Sequence, residues 1–113
     1  MAYVPERGDV VWINFNPQAG HEQAGRRPAV ILSPKAYNQK VGLAILCPIT
    51  SQIKGYPFEV KMPSKGKITG VILSDLAKSL DWRIREVTFI SSLPAGVMNE
   101  VLTKLGRLID KKG

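Results

Sequence analysis

The stretch GHEQAGRRPAVIL, residues 20–32, places a histidine, a glutamate and two arginines in a glycine-punctuated turn that runs directly into an apolar segment. Glu22 can serve as a base or a hydrogen-bond acceptor, and Arg27 presents a planar fork of donors suited to phosphate oxygens. Gly20 and Gly25 can take positive φ and let a backbone pass close to a ligand. Exposed hairpin loops also carry such residues for solubility alone. Two features favour chemistry here. Arg27 immediately precedes Pro28 and a buried-looking strand, so a locked φ and sheet pairing hold its backbone. A second polar cluster, PITSQIKGYP (Pro48 to Pro57), also follows an apolar run and supplies Thr50, Ser51, Gln52 and Lys54. In a small barrel, two such strand-edge loops can meet across one surface.

The elements that must position these clusters are short. DVVWINF (Asp9 to Phe15) alternates Val11, Ile13 and Phe15 against Val10, Trp12 and Asn14, the period of a strand. PAVIL (Pro28 to Leu32), LAILCPI (Leu43 to Ile49), FEVKM (Phe58 to Met62), GVILS (Gly70 to Ser74) and EVTFI (Glu86 to Ile90) are further strand candidates. NPQAG, SPKAYN, KGYP and SKGK read as the turns between them. Six short strands at this spacing predict a mainly β fold, a small barrel or sandwich. Towards the C-terminus the period changes. Met98, Val101, Leu102, Leu105, Leu108 and Ile109 recur at three and four residues, the stripe of an amphipathic helix, with Pro94 in its first turn. This helix is expected to close one end or face of the barrel.

At 113 residues the chain fits one folding unit and leaves no room for a second independent core. Hydrophobic residues at 44% and charged residues at 22% match ordinary globular usage, which argues against a disordered chain. The net charge of +7 would concentrate polyanions, acidic protein segments or anionic lipid near the surface. A single cysteine excludes an intrachain disulfide framework and a multi-thiolate zinc site, and its setting in LAILCPI reads as a core thiol. One histidine and one cysteine cannot form a tetrahedral metal site, so no metal or cofactor is expected. No apolar run approaches the ~20 residues that span a bilayer, and the start MAYVPERGDV lacks a signal-peptide layout, so residence in the cytosol, away from membranes, is the expectation.

Three separated blocks, RGDVVWINFNPQAGHEQAGRRPAVILSP, CPITSQIKGYPFEV and GVILSDLAKSLDWRIRE, closely resemble the MazF/PemK/Kid group of toxins from bacterial type II toxin–antitoxin pairs. The resemblance runs in order from Gly8 to the C-terminal helix. It implies a homodimeric, SH3-like small barrel of the MazF/CcdB type with an appended helix. It also implies a metal-independent endoribonuclease that cuts single-stranded RNA, chiefly messenger RNA, at short motifs and so arrests growth. The implied regulator is a labile MazE-like antitoxin with an acidic C-terminal segment, through which alone the toxin would meet DNA.

RNA can be cut without a metal if its own 2′-hydroxyl attacks the adjacent phosphorus, leaving 2′,3′-cyclic phosphate and 5′-hydroxyl ends. The protein must then remove a proton, stabilise charge on the phosphoryl oxygens and assist the departing 5′-oxygen. Glu22, the only acid in the first cluster, is the candidate base; Arg27 is the candidate clamp on the phosphoryl group; Thr50 can donate a hydroxyl, or a neighbouring amide, to the same oxygens. A guanidinium with a pKa above ~12 stabilises charge more readily than it donates a proton. His21 has no second histidine to pair with and reads as an exposed loop residue.

Lys54, Lys78 and Arg26 are candidates for neutralising backbone phosphates. Gln23, Asn38, Ser51 and Gln52 carry the donors and acceptors needed to read single-stranded base edges. Trp82, beside Arg83 and Arg85, is assigned to packing or to an antitoxin-facing surface rather than to the active site. A second class of function shares the fold: a non-enzymatic, CcdB-type gyrase poison that grips a protein. The Glu22, Arg27 and Thr50 set argues for the ribonuclease, as does the end RLIDKKG, which lacks the aromatic tail associated with gyrase poisons.

Overall fold

The computed structural model describes residues 2–16 and 25–111. Its sheet follows the expected alternation. Strands β1 (Asp9–Asn14), β2 (Arg26–Ile31), β3 (Ala44–Thr50), β4 (Glu59–Lys61), β5 (Val71–Leu73), β6 (Lys78–Leu80) and β7 (Thr88–Ser92) are interrupted by helix α1 (Lys35–Val41) and followed by helix α2 (Ala95–Ile109). The strands run antiparallel in the order β4-β5-β3-β2-β1-β7, with β6 paired to the first half of β3 and β5 to its last two residues. Among the described residues the terminal strands β4 and β7 are not hydrogen-bonded to each other, so the sheet is not closed along that seam.

Alternation distributes the apolar side chains to two cores. Val10, Val30, Cys47, Ile49, Val60 and Ile72 form one, covered by Met98 and Val101 of α2. Val11, Ile13, Phe15, Ala29, Ile31 and Leu46 form the other, against Trp82. Each fully buried Val, Leu, Ile, Phe or Met among them contributes about 1.5–3 kcal/mol, and α2 is held by Met98 and Val101 together with the partly buried Val97, Leu102 and Leu105. The predicted stripe is therefore used only over its first turns. Leu108 and Ile109, at its end, remain exposed. Pro94 sits one residue outside the helix as its N-cap, not within the first turn.

Three elements differ from the sequence reading. SPKAYN, expected as a turn, contains the start of α1, which ends on Gly42 in the left-handed region. The only buried residue of that helix is Asn38, so it shows no apolar period. β6 and the short 3-10 turn Trp82–Ile84 were also unanticipated, being only three residues each. β2 begins at Arg26 because Arg26 and Arg27 pair with Asn14 and Ile13 of β1, which extends the strand into the polar residues before Pro28.

Asn38 requires a correction. It was expected to read bases, yet it is completely buried. Its side-chain amide donates to the carbonyls of Pro5 and Ser33 at 2.8 and 3.0 Å, and its Oδ1 accepts from the Ser33 hydroxyl. Its backbone carbonyl accepts from Trp82 Nε1 at 3.0 Å. A fully satisfied buried amide ties the N-terminal segment, α1 and the 3-10 turn together and has no donor left for a base. Trp82 is buried in the same knot, in accord with its assignment to packing.

Candidate nucleic-acid cleavage site

The β2–β3 register brings the two described catalytic candidates together. Ala29 pairs with Pro48, Val30 with Cys47 and Ile31 with Leu46. Continued towards the strand ends, the same register sets Arg27 across from Thr50, and both residues line one open cleft of about 340 Å³ with Trp12, Arg26, Ser51 and Lys67. The placement of Arg27 follows from sheet pairing: its backbone is in register with Ile13 on one side and leads into the buried Ala29–Ile31 run on the other. Glu22, Gln23 and His21 lie outside the described residues. The stem of their loop is defined, however. Phe15 N–H donates to Gly25 O at 2.8 Å, Gly25 N–H to Asn16 Oδ1 at 2.9 Å, and Arg85 Nη1 to the carbonyls of Asn14 and Asn16 at 3.1 and 2.7 Å.

Thr50 is held from the opposite side by β5. It pairs with Val71, and Gly70 just before that strand adopts a φ of +113°. Thr50 Oγ1 accepts the Gln52 N–H at 3.1 Å, which turns the chain out of the strand. The hydroxyl keeps its proton available for an outside acceptor, since this bond uses only a lone pair.

The remaining binding candidates separate. Ser51 and Arg26 line the same cleft as Arg27 and Thr50. The Arg26 guanidinium is also a structural cross-link, donating to Glu86 O at 2.5 Å and to Thr88 Oγ1 at 2.7 Å. Gln52 and Lys54 line a smaller adjoining cleft of about 160 Å³, which has Thr50 in common with the first. Its rim is fixed by Glu59, whose carboxylate accepts the backbone N–H groups of Lys54 and Gly55 at 2.9 Å each. Lys78 lines neither cleft; its ammonium lies 5.8 Å from the centre of the Phe15 ring.

Sequence reasoning missed Tyr56, Asp75, Trp12 and Lys67. Tyr56 donates its phenol to Asp75 at 2.7 Å at the edge of the smaller cleft. Burial first, and then the hydrogen bond and charge of Asp75, raise the Tyr56 phenol above its ordinary range, so it stays a neutral donor. Its position in GYP, within a stretch that reads as a turn, was the available signal. Cys47 is excluded as a nucleophile: burial, with a smaller contribution from the Asp75 charge, pushes its thiol up to about 12.

Comparison with known proteins bears on the family and the fold. Residues 6–109 match the family described as "PemK-like, MazF-like toxin of type II toxin-antitoxin system". The chain is 44% identical over 107 residues to the endoribonuclease toxin MazF of Escherichia coli K12, covering 95% of this chain and 96% of that protein. It is 33% identical over 108 residues to the endoribonuclease PemK of Escherichia coli, covering 92% and 81%. Among solved structures, MazF (Form-I) from Deinococcus radiodurans superposes with a TM-score of 0.93 at 55% identity, covering 96% of this chain and 98% of that one. A MazE–MazF complex (Form-II) from the same organism gives 0.86 at 48% identity, covering 96% and 98%. The chain therefore belongs to the PemK/MazF family of type II toxin–antitoxin toxins.

Proposed function

We propose that this PemK/MazF-family toxin is an endoribonuclease that cleaves single-stranded RNA without a metal, by attack of the substrate's own 2′-hydroxyl. The observation that carries this reading is the convergence of Arg27 and Thr50, from adjacent strands, on one open cleft. In it the scissile phosphate lies against the Arg27 fork. Two parallel N–H donors then meet the non-bridging oxygens as negative charge accumulates on them in the transition state. The Thr50 hydroxyl donates to the same group. Glu22, the only acid in its cluster, takes the proton from the 2′-hydroxyl. The bond from phosphorus to the 5′-oxygen breaks as the new bond to the 2′-oxygen forms, and the departing oxygen takes its proton from solvent, so water is not the nucleophile of this step. Arg27 stabilises charge and keeps its protons.

Relatives named as endoribonucleases support this reading over a gyrase poison on the same fold. The solved MazE–MazF complexes support an antitoxin as partner. The net charge of +7 suits an acidic segment of that antitoxin, and such an association should accelerate at low salt. The protein acts as a homodimer, and meets DNA only through the antitoxin.

The test is incubation of the purified protein with a long single-stranded RNA in EDTA, beside Arg27→Ala, followed by mapping of the ends. Sequence-restricted cuts bearing 2′,3′-cyclic phosphate, lost in the variant, are expected. RNA left intact by the unsubstituted protein overturns the reading.

A further inference from the structure

The connection from β4 to β5 reads MPSKGKITG over residues 62–70, and with Lys61 just before it carries three lysines and no acid. It is a fixed loop: Met62 N–H donates to Gly70 O at 2.9 Å and Gly66 N–H to Pro63 O at 3.2 Å. Lys65 and Lys67 are exposed, and neither has an ion pair or hydrogen bond among the described residues. Lys67 and Ile68 line the Arg27–Thr50 cleft. The same two residues, with Lys65, line a second cleft of about 390 Å³ that reaches Ser91, Ser92 and Pro94 at the start of α2. The two clefts thus meet at the wall formed by Lys67 and Ile68, and a path leads from Thr50 past Lys67 and Lys65 to the start of α2.

We infer that this lysine-bearing loop is a rail for the sugar–phosphate backbone of RNA beyond the scissile bond, with Lys67 and Lys65 binding successive phosphates. The inference rests on the reading of the Arg27–Thr50 cleft as an RNA site. A bound strand threaded through that cleft has to leave it, and this path combines cations on the rim with an apolar floor at Ile68 and Met62. The half-exposed Trp12 that also lines the cleft offers a stacking face for a base, a group that an acidic peptide lacks. Such contacts hold the backbone without reading sequence.

The test compares the unsubstituted protein with Lys65→Ala/Lys67→Ala, and with Lys40→Ala/Lys111→Ala, which removes the same charge from residues lining neither cleft. Cleavage of a single-stranded RNA several tens of nucleotides long is followed at several salt concentrations. Loss of two phosphate contacts is expected to raise KM about 25-fold near 0.1 M salt, and to flatten the log–log salt slope by about 1.4. The control pair should stay near the unsubstituted protein. A rail pair with unchanged KM and slope, or a control pair equally impaired, overturns the inference. Fluorescence anisotropy with a 2′-O-methyl RNA, which cannot be cut, separates the two readings. If the unsubstituted protein binds that RNA without cutting natural RNA, the cleavage reading fails, while the rail still stands or falls by the anisotropy difference. Weakened capture of a poly-glutamate peptide with RNA binding intact overturns the assignment to RNA and points to a protein partner.

Discussion

A Cβ placed on Gly70 would lie 2.2 Å from the carbonyl oxygen of Thr50. No side chain can share that space, so the end of β3 approaches β5 as closely as it does because residue 70 is glycine. Its φ of +113° adds a second restriction that L side chains rarely meet. Gly70→Ala must therefore move the Thr50 backbone as well as strain its own. We expect a loss of at least about 1–3 kcal/mol from the backbone strain, read by urea unfolding. In the folded fraction, kcat should fall as well, because the displaced residue is Thr50. A variant that unfolds earlier yet cuts RNA at the usual kcat per folded molecule would show that Thr50 does not contact the reacting phosphate.

Asn38 gives the opposite pattern. Replacing it with alanine removes the amide that satisfies Pro5 O, Ser33 O and the Ser33 hydroxyl in a completely buried setting. A stranded buried acceptor costs about 1–3 kcal/mol. We expect Asn38→Ala to lower the denaturation midpoint accordingly, while KM for RNA, corrected for the folded fraction, stays unchanged. A selective rise in KM would return Asn38 to the binding surface.

This contrast shows what the sequence carried and what it did not. Period-two alternation revealed β1, and short apolar runs bounded by turn residues revealed the buried β2 and β3. α1 stayed hidden because its one buried position holds a polar residue, and the apolar period on which helix recognition depends is absent. Asn38 was misplaced for the same reason: a polar side chain in a turn-like sequence reads as exposed. Arg27 and Thr50 could be chosen one at a time from residue chemistry and family resemblance. Their facing positions come from the β2–β3 register, a long-range property that no local spacing encodes. Lys67 escaped notice because SKGK has the composition of an ordinary surface turn, and only the wall common to two clefts distinguishes it.

Cys47 supplies a pH prediction. Its folded thiol value of about 12 stands above the ordinary 9.0, with burial as the first cause. Between those values the folded chain keeps a proton that the unfolded chain has released, so stability is intact below the lower value and falls as pH rises through the window. The slope from this group is at most about 1.4 kcal/mol per pH unit. We expect the fall in urea midpoint from about pH 9 to about pH 11 to be smaller in Cys47→Ala than in the unsubstituted protein. Alkylation by iodoacetamide should track global unfolding, since the side chain is fully buried in the native state. Equal pH slopes, or rapid labelling of the native protein, would contradict this.

Arg27→Lys tests whether the site needs a charge or a fork. Arg27 is exposed at the mouth of β2, so the substitution should leave the fold intact by circular dichroism. The ammonium keeps the positive charge and hence most of the ground-state attraction for phosphate, but it cannot present two parallel donors to the non-bridging oxygens. If the fork acts mainly in the transition state, kcat falls by about 10²-fold or more while KM changes little. Arg27→Ala should lower kcat further and raise KM as well. If lysine instead supports the full kcat, a point charge suffices at this position and the bidentate clamp is wrong. If lysine raises KM alone, Arg27 only holds the substrate, and stabilisation of the pentavalent phosphorus falls to Thr50 and the amides beside it.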